Sequence, residues 1–578
     1  MKVINMADYT NVLKKVFKLQ EKMKIKGMSI AIVSSSKVLL SAQNGFADFY
    51  GERKVEADTK FMIGSITKTI TAISIMQLVE SGLIDLDADI KTYIPDFKIK
   101  NRFDDYKITI KDILYHRSGL PGDDYGMILS NPAIDYNELI IYLQDQYLIA
   151  PPGKMFAYSN IGYTLLGIVI EKVTKKKYTE YVQKNIFNPM GINGDFIITP
   201  DDFRQHRYEV SRSYNTKGEE KTDNLSSMIP AGSNTYVNAV DLAKIIQMFL
   251  NKGKVGNKRI LREQTIIDMQ KKPEFADEID YCHGLGLAFD YYKLNNVGTI
   301  IGHSGDTIYH HAAMWYIPDS DIGIVVLTNT NNGNRIMDDT IIPLLEETLT
   351  DFGYQKEIET KKKIKNQYRT FRIEDYTGYY PTTNGLIKVT YNKQLRMQLG
   401  PLTAKMFLKD DGWFDLKATG SLSIIGSNIF SRMNVKIEKE LLTIKVKRSN
   451  NQYFSTVMGV FVRPFEINRT WLEACGNYQC FGKKKDNIYA KAKMYVKDNF
   501  LTIKFKGGLN KNKINILGTV DDNEAIILGY GRESSETIFI SDKILIYMGT
   551  IFIKESGFKA FLRRIGVIKT KIKQEENE

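Results

Sequence analysis

The sequence predicts a mixed α/β domain, an antiparallel sheet flanked by helices and carrying a helical subdomain, followed by one or two all-β barrel-like domains. Apolar alternating runs open the chain at Met28 to Val33 and Val38 to Ala47, and further strand-like runs follow between Gly284 and Leu327, with mostly helical text between the two sets. From Ile66 to Val79 apolar residues fall on every side of a 3.6-residue period, which marks a helix buried all round. Far downstream the text changes to short alternating strands separated by Gly, Asn and Asp, as in Ile387 to Tyr391 and Leu501 to Phe505.

At 578 residues the chain exceeds what one core supports. The expected division is a first domain over residues 1–354, a charged linker at 355–367, β domains at 368–466 and 467–566, and a charged tail at 567–578. A hydrophobic share of 43% with 11% aromatics excludes a disordered chain. The net charge of +13 is spread along the sequence, in surface runs such as Lys361-Lys362-Lys363 and Lys483-Lys484-Lys485. Acidic residues interleave with these cations, which argues against a nucleic-acid partner. Cys282, Cys475 and Cys480 are too few and too scattered for a disulfide framework or a zinc knuckle. The amphipathic N-terminal segment, Met1 to Lys24, contains no signal-peptide core, and no run of about 18 apolar residues occurs, so a cytoplasmic location is expected. The basic tail from Lys559 to Lys573 carries Phe561, Leu562, Ile565 and Val567; a solvated end is favoured over contact with a membrane surface.

Taken in order, the first two strands pair as a hairpin around Ser34-Ser35-Ser36, and Phe61-Met62-Ile63-Gly64 leads into the buried helix. From Leu86 to Asn160 the text reads as helices and loops, with helices at Asp89 to Tyr93, Ile108 to His116 and Asn137 to Gln146. Pro151-Pro152-Gly153 makes a turn, after which Tyr158 and Asn160 sit on an ordered loop before a second apolar helix, Gly162 to Lys172. A helix from Val240 to Leu250 precedes the second strand set, with strands at Gly298 to Ile301, Ala312 to Ile317 and Ile322 to Leu327 and a closing helix at Ile336 to Leu349. Gly302-His303-Ser304-Gly305-Asp306 places a Gly-flanked histidine at a strand end. The β text looks duplicated: Gly378-Tyr379-Tyr380 and Gly476-Asn477-Tyr478 open two blocks, each after an acidic residue in a short helical lead, Glu374 or Glu473.

The chemistry concentrates at Ser65 and Lys68. Three residues apart on a helix they share a face one turn apart, close enough for the amine to take the hydroxyl proton. A helix start favours an alkoxide through its unpaired N–H groups, and burial disfavours a charged lysine, making Lys68 a better base. The spacing alone is weak evidence, because Ser34 and Lys37 repeat it in a turn, and Tyr9/Asn11 and Tyr236/Asn238 repeat the Tyr-x-Asn pattern of Tyr158/Asn160.

Order supplies what spacing lacks. The sequence Ser-x-x-Lys, Tyr-x-Asn, His-x-Gly, formed by Ser65/Lys68, Tyr158/Asn160 and His303/Gly305, resembles the serine β-lactamase and penicillin-recognising family, most closely its class C, esterase and D-aminopeptidase branch. The resemblance runs from about residue 8 to 350 and includes Tyr115-His116-Arg117-Ser118-Gly119-Leu120, Pro151-Pro152-Gly153, Ala231-Gly232, Gly284-Leu285-Gly286 and Val326-Leu327-Thr328-Asn329. It implies a β-lactamase/transpeptidase-like fold and a serine hydrolase without metal or cofactor, acting through an acyl-enzyme on a small-molecule or peptide amide or ester, D-amino-acid peptides and β-lactams among them. By the same resemblance Ser65 is the nucleophile, Lys68 and Tyr158 move its proton, and Asn160 orients substrate or Lys68. The N–H groups of Ser65 and Asp306, the latter just after Gly305, then form the oxyanion hole. The alternative it leaves open is a penicillin-binding sensor or scaffold that acylates without turnover.

Two departures matter. His303 stands where penicillin-binding members often carry Lys, and a neutral histidine is a weaker carboxylate ligand. His310 and His311 follow where relatives are richer in Gly and Pro, and are expected to line the pocket or face solvent. The β blocks resemble the lipocalin-like domains appended to several peptidases of the family, which implies either a role at the active-site entrance or a separate solubility or assembly module.

Overall fold

The alternation of the opening hairpin becomes the middle of a sheet. Helix α1 (Thr10–Lys22) leads into β1 (Gly27–Val33), β2 (Val38–Asp48) and the short β3 (Arg53–Lys54), followed by the buried helix α2 (Thr67–Glu80). Helices α3 (Ile110–Leu114) and α4 (Asn160–Thr174) come from the helical middle of the domain, and α5 (Ala239–Leu250) returns to the sheet. Strands β4 (Cys282–His283), β5 (Ala288–Phe289), β6 (Ile301–Asp306), β7 (His311–Ile317) and β8 (Ile322–Thr328) and helix α6 (Met337–Thr350) complete it. This computed structural model describes residues 8–350, apart from 105–106, 124–134, 222–227, 276–281 and 295, and residues 372–555, apart from 383–384, 439, 448–452, 482–488, 508–512 and 531–532. The predicted linker at 355–367, the basic tail and the two lysine runs lie outside the described residues.

The strands form one sheet in the order β4-β5-β6-β7-β8-β1-β2-β3, so the two ends of the domain meet, with Ile30 of β1 opposite Val326 of β8 and Ala42 of β2. Successive side chains of a strand point to opposite faces. Ile30, Ile32, Trp315 and Ile324 pack with Val12, Val16, Ile341 and Leu345 of α1 and α6. Ala31, Val33, Met314 and Val325 join Ile70, Ile73, Leu242 and Ile246 of α2 and α5 on the other face. A strand covered on both faces needs a continuous apolar run, and β1 is buried along its whole length.

Helix α2 is buried from Thr67 to Met76, as its apolar circumference requires. Two of its interspersed hydroxyls find carbonyl partners: Ser74 Oγ donates to the Ile70 carbonyl at 3.0 Å and Thr71 Oγ1 to the Pro230 carbonyl at 2.7 Å.

Several elements differ from the sequence expectation. The helical middle is shorter than predicted: Ile90–Thr92 is a single 3-10 turn, and α3 spans only Ile110–Leu114 behind a capping box of Thr109 and Asp112. Gly284 to Leu287 is the turn between β4 and β5. The strand expected at Gly298 to Ile301 lies instead at Ile301–Asp306, so His303 is inside a strand and not at its end. Packing overrides propensity there: a Cβ on Gly302 would lie 2.0 Å from the Met314 carbonyl, so the glycine is what lets β6 approach β7.

The duplicated β text forms two closed eight-stranded barrels, from Gly378 to Val460 and from Gly476 to Lys554, closed by pairing Thr382 with Gly459 and Tyr478 with Lys554. The first carries a helix, Ser423–Phe430, that the all-β reading did not anticipate. The second is filled by Trp471, Tyr478, Phe505, Tyr547 and Phe552. This second barrel rests on the helical middle of the first domain, where Arg102 pairs with Glu524 at 3.2 Å and stacks on Tyr147. Among the described residues no helix is long and apolar enough to cross a membrane.

Candidate active site

Ser65 sits in a 3-10 turn, Gly64–Ile66, that runs directly into α2. Its hydroxyl is half-buried, while Lys68 in the first turn of α2 is fully buried. The one-turn spacing places Lys68 Nζ 3.1 Å from Ser65 Oγ. Nζ also donates to Asn160 Oδ1 at 2.6 Å and to the Ala231 carbonyl. An ammonium can donate all three bonds. A neutral amine can keep the two carbonyl bonds and turn its lone pair toward Ser65, the geometry a general base requires.

Asn160 is the first residue of α4, not a loop residue, because the Ser159 hydroxyl caps the helix by accepting the Gly162 N–H at 2.9 Å. Asn160 Nδ2 donates to the buried Asp123 Oδ1 at 2.5 Å, so both ends of its amide are held. The Tyr158 ring packs beside the amine, with Lys68 Nζ 4.8 Å from its centroid. His116 stacks on the other ring neighbourhood of Tyr158, centroids 4.1 Å apart, and its Nδ1 accepts the Ser159 N–H at 3.0 Å. His116 has φ of 57°, the left-handed geometry that glycine usually takes after a helix end. A bulky residue held there follows the pattern of local strain at functional sites. The sequence analysis quoted His116 in a motif and gave it no role; the missed signal is a histidine in the glycine position after α3.

His303 is buried on β6, and its Nδ1 faces the Ser304 carbonyl at 2.6 Å, so Nδ1 donates and Nε2 is left as the acceptor. Burial, with the nearby Lys68 charge second, pushes His303 down to about 4, and burial also pulls His283, whose ring lies 5.8 Å away, well below its ordinary value. Both are therefore neutral at pH 7. Of the two expectations for His310 and His311, exposure to solvent is corrected, since both are buried in hydrogen bonds. His310 Nε2 bonds Ser211 at 2.9 Å, and His311 bonds the Asp306 carboxylate.

The backbone around Ser65 is crowded by glycines. A Cβ on Gly305 would lie 1.9 Å from the Ile63 carbonyl and 3.2 Å from the Ser65 nitrogen, and one on Gly64 would lie 3.0 Å from the Asp306 nitrogen. Only glycine permits this approach, which brings the backbone at Gly305 and Asp306 against that at Ile63, Gly64 and Ser65. Metal-like spacing occurs elsewhere, at Asp195, His206 and Glu209, but the Lys60 ammonium already occupies that group at 2.5 and 2.7 Å from the two carboxylates.

Comparison with known proteins bears on the family and the fold. Residues 15–346, more than half of the chain, match the Beta-lactamase family. Protein flp of Staphylococcus aureus (strain N315) is 28% identical over 353 residues, covering 60% of this chain and 66% of its own length, just under two thirds. Beta-lactamase-like protein 4 of Dictyostelium discoideum is 25% identical over 362 residues, covering 57% of this chain and 63% of its own. Among solved structures, SurE superposes with a TM-score of 0.56 at 19% identity over 78% of this chain and 98% of its own. The octameric penicillin-binding protein homologue from Pyrococcus abyssi gives 0.52 at 20% identity, over 95% of this chain and all of its own. At such identity these two speak for the fold alone. With a Ser-x-x-Lys pair at the start of a buried helix packed on one face of an antiparallel sheet, and a family match over residues 15–346, the chain belongs to the β-lactamase family.

Proposed function

We propose that the chain is a serine hydrolase that cleaves small amides or esters through an acyl-enzyme on Ser65. One observation carries the reading: Ser65 Oγ lies 3.1 Å from an amine that also donates to Asn160 and Ala231. Lys68, directly or through Tyr158, takes the hydroxyl proton as Ser65 attacks the carbonyl carbon. The oxyanion is received by the N–H groups of Ser65 and Asp306. Tyr158 returns the proton to the leaving group; water then attacks the ester carbonyl, giving its proton through the same groups to Ser65 Oγ as the acyl–oxygen bond breaks and the acid leaves.

The substrate side follows from His303. A neutral imidazole offers an acceptor and no positive charge, so substrates that depend on a carboxylate anchor, β-lactams included, are poorer here than neutral esters and amides. D-aminoacyl amides belong in the trial set, since SurE was solved with D-Leu. Labelling with a fluorophosphonate, mapping the adduct, and assaying p-nitrophenyl esters, D-amino-acid p-nitroanilides and nitrocefin test the proposal. The expected result is an adduct on Ser65 with multiple turnovers of ester or anilide; an adduct on another residue refutes it. A single burst without turnover on every substrate supports the sensor alternative.

A further inference from the structure

Beside the Arg102–Glu524 pair, one short loop of the second barrel contacts the catalytic domain. Within four residues, Ser534 Oγ lies 3.9 Å from Met155 Sδ, Glu536 Oε1 accepts the Gly122 N–H at 2.6 Å, and Thr537 Oγ1 bonds Arg102 at 3.1 Å. Ser534 and Glu536 are 1% and 4% exposed. The loop is fixed from its own side: the Ser535 N–H donates to the Ile527 carbonyl at 2.6 Å and the Ile527 N–H to the Glu536 carbonyl at 3.0 Å. A carboxylate withdrawn from water at a domain boundary must recover its lost hydration through hydrogen bonds, which ties its presence to what it holds.

What it holds is the segment that orients Asn160. The Gly122 carbonyl accepts the Asn160 N–H at 2.8 Å, and the Pro121 carbonyl accepts the Ser159 hydroxyl at 2.6 Å. Asp123 Oδ1 takes the Asn160 amide at 2.5 Å, and Asn160 Oδ1 in turn takes Lys68 Nζ at 2.6 Å. A continuous line of hydrogen bonds thus runs from Glu536 through Gly122, Asn160 and Lys68 to Ser65.

We propose that Glu536 is a positioning residue for reaction at Ser65, so that the second barrel is part of the catalytic unit and not a detached module. Its kinetic consequence rests on the hydrolase reading above; the mechanical link does not. The full-length chain and its Glu536→Ala, Glu536→Gln and Arg102→Ala variants are compared by amide hydrogen exchange and by the rate at which a fluorophosphonate labels Ser65. Losing a buried, charge-assisted acceptor should speed exchange at Gly122, Asp123 and Asn160 roughly 10- to 100-fold in Glu536→Ala and slow labelling by a comparable factor. The half-saturating probe concentration should stay put, because Glu536 does not touch the probe. Glu536→Gln keeps an acceptor oxygen and should restore most of both. Arg102→Ala opens the same boundary without touching Gly122 and should match the unaltered chain.

Unchanged exchange in Glu536→Ala overturns the proposal, as does faster exchange with an unchanged labelling rate. Equal losses in Arg102→Ala and Glu536→Ala overturn it too, by assigning the effect to barrel docking in general. If the unaltered chain is never labelled, the hydrolase reading fails, and the exchange comparison still decides whether Glu536 holds the Asn160 segment.

Discussion

Lowering the pH from 7 to 5 should destabilise the catalytic domain through His303, and the size of the effect follows from its burial. The unfolded chain protonates this imidazole below its ordinary value of 6.5, whereas the native one, buried and near Lys68, resists until about 4. Between those values the unfolded state takes up a proton that the native state does not. The stabilisation is thus fully present above 6.5 and is lost as the pH falls toward 4. At about 1.4 kcal/mol per pKa step, acidification from pH 7 to pH 5 costs about 2 kcal/mol, levelling off at about 3 kcal/mol near pH 4. Urea unfolding followed by fluorescence measures it. Trp315 is buried in the sheet, so a background of Trp413→Phe and Trp471→Phe leaves a reporter of this domain alone. In that background the His303→Asn variant should lose about 2 kcal/mol less than the parent between the two pH values. His283 has the same sign and is present in both chains, so it largely cancels in the comparison. Equal losses with and without the imidazole would refute the reasoning, and with it the claim that the cleft holds His303 neutral.

Other substitutions test the site directly. Lys68→Met keeps the helix apolar and removes the base; Ser65 acylation should fall by about 10² to 10⁴, read as the labelling rate. Tyr158→Phe removes the hydroxyl and keeps the ring that stacks on His116; kcat should drop on esters while the thermal midpoint stays near that of the unaltered chain. Gly305→Ala forces a Cβ to within 1.9 Å of the Ile63 carbonyl, and the displaced turn should cost kcat about 10² to 10³ with a smaller change in KM. Trp471→Ala empties the centre of the second barrel, where the ring is fully buried and Nε1 donates to the Asp521 carbonyl at 2.7 Å. It should cost about 3–5 kcal/mol of that barrel's stability, measured by hydrogen exchange of its strands.

Residues that act within one turn or one strand were legible in the sequence, because the chemistry there is local. Ser65 and Lys68 stand three positions apart where a 3-10 turn runs into α2, and the apolar circumference of Ile66 to Val79 announces that helix and its burial together. The hairpin at Ser34 to Lys37 and the two barrels were readable for a similar reason, since alternation and turn residues are properties of a few neighbouring positions. Strand β6 was displaced because Gly302, Ser304 and Gly305 carry no strand preference of their own; β7 on one side and the Ser65 turn on the other impose the extended backbone. The burial of His310 was not legible because its partners, Ser211 and Ser213, lie 99 and 97 positions away.

Glu536 marks where such reading stops. Nothing near it in the chain suggests catalysis: it is one acidic residue before a barrel strand, and its partner Gly122 lies in another domain. Its significance arises only when the barrel closes and presents the loop to Pro121–Asp123, and then through a backbone N–H that any residue except proline would supply. A motif search sees side chains, and the link between these domains ends on main chain. The same holds for Ala231, whose carbonyl fixes Lys68 although its side chain is a methyl group. The proposed nucleophile pair is written in residue types, whereas the groups that hold it are written in the path of the backbone.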